Sequence, residues 1–112
     1  LNQLYNVIGH DRPQMLVDLI NTFLQDVPQR FAEIERALQN EDMSQVRAMA
    51  HPLKSSAASL GALAFSRLCE QLEEAAAENP DLGYITQRFG QLRTEFERVQ
   101  QALEQYKRTL FT

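Results

Sequence analysis

The chain has 112 residues, 44% of them hydrophobic, one cysteine, and a formal net charge of −4 from 15 acidic and 11 basic side chains. That length fits one domain over 1–112, able to bury about two-thirds of its unfolded surface, and a single cysteine excludes an internal disulfide and fits a reducing compartment. The acidic balance argues against nucleic acid as a partner, and with no signal peptide and no long apolar run, no segment is expected to span or contact a membrane. The chain begins at Leu1 rather than methionine, which reads as a module excised from a longer protein and leaves a membrane-anchored parent open.

Leu4, Tyr5 and Ile8 recur at helical spacing over 2–8. Two turns need tertiary packing to persist, so this segment is expected to cap one end of the molecule. His10 lies in the turn that follows and is given no role. Asp11 and Gln14 make a capping box for a helix over 12–40, whose seam is Leu16, Ile20, Leu24, Val27, Phe31, Ile34 and Leu38. Pro28 removes one backbone bond, at about 3 kcal/mol in a helix interior, and predicts a kink. Asn40, Glu41 and Asp42 close that helix, and Asp42 with Gln45 repeats the capping box.

The next helix, 43–60, carries Val46, Ala50, Leu53, Ala57 and Leu60 on one side. His51 lies nearly opposite, on a ridge with Ser44, Arg47, Lys54, Ser55 and Ala58. Pro52 cannot donate to Ala48 and disfavours helical geometry at His51; a tolerated bend on an exposed face is the simpler reading, and a bend that tilts the His51 ring and frees a carbonyl toward solvent is the alternative. Gly61 is a left-handed stop. Phe65, Leu68, Leu72 and Ala76 form the seam of a helix over 62–78, with Cys69 as a small core residue rather than a reactive thiol. Asn79 is expected to cap, and Pro80 to open, a last helix over 80–110. Its seam is Ile85, Phe89, Leu92, Phe96, Val99, Leu103, Tyr106 and Leu110. Gly83 and Gly90 weaken it by about 1 kcal/mol each, and nothing in the sequence explains them. No segment alternates with the period of a strand. The chain is read as all-α: an antiparallel up-down four-helix bundle with a short N-terminal capping helix.

An exposed imidazole between cationic and small neighbours suits a nucleophile used by another protein. Neutral imidazole keeps a lone pair on one nitrogen and attacks phosphorus without a separate base. Lys54, one turn on, and Arg47, one turn back, can neutralise phosphoryl oxygens. Small residues at 55, 56 and 58 leave access for a large partner. On spacing alone, an incidental histidine on a solvated face is the simpler reading. There is no glycine-rich phosphate loop and no nucleotide-binding pattern, so the chain is not expected to use ATP by itself.

The run His51-Pro52-Leu53-Lys54-Ser55-Ser56, with Leu60-Gly61 nine and ten residues after the histidine and Leu68-Cys69-x-x-Leu72-Glu73 beyond, resembles the histidine-containing phosphotransfer (HPt) domain of bacterial phosphorelays. The likeness extends to helix order across nearly all of the chain. Ser55 stands where many members have glycine, a mild change because serine is small.

This resemblance implies that His51 Nε2 takes a phosphoryl group from a receiver aspartate and passes it to another. Lys54 would stabilise the group, and Arg47, Ser55, Ser56 and Ala58 would lie under the docked partner, with Gly61 structural. Glu73 falls 22 residues after His51, where some members carry a glutamate or glutamine that accepts a hydrogen bond from Nδ1; an ordinary surface carboxylate is the competing reading. The required Mg²⁺ would belong to the receiver, so no cofactor or metal is expected on this chain. Implied partners are receiver domains and a histidine kinase. The expected location is cytoplasmic, or the cytoplasmic end of a membrane-anchored hybrid sensor kinase, and the module is expected to be a monomer. A substrate module phosphorylated directly by a kinase and a non-catalytic helical adaptor remain as alternatives.

Overall fold

A computed structural model describes residues 13–78 and 81–110. They form helices α1 (Pro13–Gln39), α2 (Met43–Ser59), α3 (Leu63–Glu78) and α4 (Leu82–Thr109), with no strand among the described residues. The expected helix over 2–8, His10, Asp11 and the Asn79–Pro80 pair lie outside them. Pro13 stands first in α1, where a missing N–H removes no helical bond.

The first two connections are short because α1 and α2 are each stopped by a specific backbone device. After α1, Glu41 takes φ 52°, its N–H donates to Leu38 O at 3.1 Å, and Asp42 N–H donates to Ala37 O at 2.8 Å. After α2, Gly61 takes φ 79°, with Gly61 N–H to Ala58 O at 3.0 Å and Ala62 N–H to Ala57 O at 2.9 Å. Both are paired C-terminal bonds around a left-handed residue. The carboxylate of Asp42 then accepts from Gln45 N at 3.1 Å and starts α2. The expected capping box operates in that direction, because the N–H of Asp42 is already engaged by Ala37. The cap of α4 is Asp81 rather than Asn79: Asp81 Oδ1 accepts from Gly83 N at 3.0 Å and Tyr84 N at 3.3 Å, so the helix starts at Leu82 and not at residue 80.

These reversals lay the helices antiparallel. Each packs on the next and α1 closes against α4, giving a rod of 47 × 19 × 18 Å whose length matches the roughly 40 Å of a 27- or 28-residue helix. The seams meet inside. Val46, Ala50, Leu53 and Ala57 of α2, Phe65, Cys69, Leu72 and Ala76 of α3, and Ile85, Phe89, Leu92, Phe96, Val99 and Leu103 of α4 are all buried. On α1 the buried face is wider than one stripe: Phe23 and Ala37 join it, while Leu24 and Phe31 are half-buried against it. Phe23 meets Phe65 edge-on with ring centres 5.7 Å apart, and Phe31 meets Phe89 in the same way at 5.4 Å. Such pairs contribute about 1 kcal/mol beyond the area they bury. Lys107 Nζ donates to Asn21 Oδ1 at 2.7 Å, joining the outer halves of α4 and α1.

Helix α1 runs unbroken past Pro28, which is exposed, and α2 runs unbroken past Pro52, which is half-buried. Each proline forfeits a backbone bond without ending its helix. Among the described residues no helix is long and apolar enough to cross a membrane.

Candidate functional site

The buried stripe of α2 turns Val46, Ala50, Leu53 and Ala57 inward, which leaves His51 facing out with two-thirds of its side chain exposed (66%). Arg47, Ser55, Ser56 and Ala58 are exposed around it. Lys54 departs from the open ridge expected of it. Its side chain is 30% exposed and leans across to α3, where Nζ donates to Glu73 Oε1 at 3.2 Å.

Glu73 is the hinge of the arrangement. It projects from the α2-facing side of α3, one turn beyond buried Cys69, and only 19% of its side chain reaches solvent. Its other oxygen, Oε2, meets Nδ1 of His51. One carboxylate thus serves both candidate residues of α2. Burial at the seam pushes the Glu73 carboxyl up, but hydrogen bonds from His51 and Lys54, with the charge of both, outweigh burial and hold it below its ordinary value. An ionised carboxylate only accepts, so the Nδ1 that touches it carries the proton. In a neutral ring Nε2, which takes no part in that contact, then keeps the lone pair.

Beneath these groups, burial pushes the Cys69 thiol up to about 12, helped by the negative charge of Glu73 against the opposing charge of Lys54. It stays protonated and packs as a core residue. Among the described residues no three His, Cys, Asp or Glu side chains gather in a way that could hold a metal ion.

One contact and one groove involve residues to which the sequence assigns no role. Ser66 Oγ donates from α3 to Lys54 O at 2.8 Å. Its signal is a polar residue seven positions before Glu73 on the same helical face. A shallow groove of about 260 Å³ runs beside Ser56 between α1 and α2, lined by Leu19, Phe23 and Leu60 among others. Leu19 and Phe23 flank the main apolar stripe of α1, so its periodicity does not mark them.

Residues 18–102 match the family model of the Hpt domain. The fold is also similar to the crystal structure of histidine-containing phosphotransfer protein B (HptB) from Pseudomonas aeruginosa PAO1, with a TM-score of 0.83 and 27% identity over 96% of this chain and 90% of that one. No curated protein sequence matches the chain. A family match spanning most of the chain, and a bundle that superposes on a histidine phosphotransfer protein, place this chain in the Hpt domain family as a histidine phosphotransfer module of two-component signalling.

Proposed function

We propose that the chain is a phosphorelay intermediate in which His51 takes a phosphoryl group from the aspartyl phosphate of one receiver domain and gives it to the aspartate of another. The observation that carries this reading is the Nδ1 contact with Glu73, made by a ring that is otherwise open to solvent. With the proton held at Nδ1, the Nε2 lone pair attacks phosphorus. The Nε2–P bond forms as the P–O bond to the receiver aspartate breaks, and the aspartate leaves as a carboxylate. Positive charge that develops on the ring is met by the Glu73 carboxylate. Transfer to the second receiver reverses these bond changes.

Lys54 has the position for the phosphoryl oxygens. It is one helical turn from His51, and Nζ has donors to spare beyond the one given to Glu73. Arg47 adds charge on the other side, and the exposed Ser55, Ser56 and Ala58 leave room for a receiver to seat. The metal such chemistry uses would come with the receiver, whose acidic pocket meets this cationic ridge. Catalysis is then shared, with this chain supplying a positioned nucleophile.

The test is which donor labels the protein. Phosphorylated receivers should transfer label to His51 within the mixing time of a stopped assay, and the labelled protein should lose it to a second, unphosphorylated receiver. Label that arrives only from a kinase domain with ATP would make the chain a kinase substrate module, and none from either donor would make it an adaptor.

A further inference from the structure

The contacts of Glu73 end on side chains, which rotate. A third link between α2 and α3 ends on backbone. Ser66 lies on the face of α3 that carries Cys69 and Glu73, three and seven residues further on, and its hydroxyl donates to the carbonyl of Lys54 at 2.8 Å. That carbonyl belongs to the residue one turn after His51 and keeps a second lone pair beyond the one a helix uses. A serine hydroxyl is one carbon long, so it reaches the backbone of a neighbouring helix only where the two axes come close. Fully buried Ala50 and Ala57 on α2 permit that approach.

We infer that Ser66 is a positioning residue for His51: by tying α3 to the Lys54 carbonyl it sets the spacing and register at which Glu73 meets Nδ1, and so decides which ring nitrogen keeps its lone pair. A displacement of about 1 Å is enough to disable a positioned group, and Glu73 has to cross the α2–α3 seam to make its contact. An imidazole released from such a partner favours the proton on Nε2, the wrong nitrogen for an outward nucleophile. The use made of the lone pair rests on the phosphotransfer reading above, whereas the tautomer is a property of the chain alone.

Long-range proton–nitrogen correlation spectra of the ¹⁵N-labelled chain, at a pH where His51 is neutral, distinguish a protonated ring nitrogen from one with a lone pair. The parent is expected to show the proton on Nδ1. Ser66→Ala, which places a good helix former in α3 and should fold, is expected to shift the ring toward the Nε2-protonated form. It should also slow phosphoryl acceptance by about two- to tenfold, the factor one hydrogen bond is worth. Ser66→Thr restores a hydroxyl and should recover both. Thr94→Ala, which removes a hydroxyl bonded within α4 to Gly90 O, should change neither.

An unchanged tautomer in Ser66→Ala overturns the role of Ser66 whatever the rate, and leaves the phosphotransfer reading standing. A parent whose proton sits on Nε2 overturns the positioning by Glu73, and the role of Ser66 with it.

Discussion

Glu73 of α3 and His51 of α2 meet through Oε2 and Nδ1 across the seam between their helices, and the same carboxylate holds Lys54 Nζ at 3.2 Å with its other oxygen. The pair joins a well-covered acid to a ring that is mostly in water, so the acid is the fixed member and the imidazole is the group being aimed. Aim and exposure together are what a nucleophile shared with a second protein requires.

Removing the acid should therefore slow the chemistry more than it disturbs the fold. Glu73→Ala is expected to lower the rate of phosphoryl acceptance from a receiver by about tenfold, with unchanged helicity by circular dichroism. Glu73→Gln keeps an acceptor oxygen but no charge, and should fall between the two. Acceptance by Glu73→Ala as fast as by the parent would remove the orienting role.

Lys54→Ala should also slow transfer by about tenfold, through lost attraction to the phosphoryl oxygens and to the acidic receiver pocket. Part of that loss should shrink as salt rises and screens the charge. Rates measured across an ionic-strength series check this. Equal rates at low salt would take Lys54 out of the mechanism.

The lowered carboxyl of Glu73 ties stability to pH with a definite sign. Its folded value lies below its unfolded one, so on acidification the unfolded chain binds that proton first. The stabilisation is complete above the ordinary carboxylate range and is lost as pH falls through the folded value. Urea unfolding of the parent and of Glu73→Gln, compared from about pH 5 down to about pH 3, should show a gap in midpoint that narrows with acid. A gap that widens contradicts the assignment.

The glycines separate into two kinds, and substitution should show it. Gly61 sits at φ 79°, so Gly61→Ala should cost about 1 kcal/mol or more in stability. Gly90 is exposed on α4, and a Cβ there meets nothing within 4 Å, so Gly90→Ala should stabilise by about 1 kcal/mol with phosphoryl transfer unchanged. Thermal unfolding of the two variants in opposite directions is the expected result, and a shift of both in one direction contradicts it.

Periodicity carried the fold because helices that bury one stripe write it every three or four residues, as α4 does from Ile85 to Leu103. It failed at Phe23, since α1 buries more than one stripe, and at the start of α4, where Asn79, Pro80 and Asp81 offer adjacent capping chemistry and only backbone geometry chooses Asp81. Both helices continue across their prolines, as the uninterrupted apolar stripes on either side of Pro28 and Pro52 lead one to expect. At the site, the outward aim of His51 follows from the stripe opposite it. That Lys54 turns from the ridge to Glu73, and that Ser66 reaches Lys54 O, are facts about the distance between α2 and α3. No single helix encodes that distance.

The central claim is tested most directly by mixing the intact chain with a phosphorylated receiver and locating the acquired group by peptide mass spectrometry at neutral to alkaline pH, where phosphohistidine survives. The expected result is a single phosphoryl group on the peptide containing His51, absent from His51→Gln and discharged by adding a second receiver. Phosphate found on another residue, or a His51→Gln protein that is labelled as readily as the parent, would contradict it.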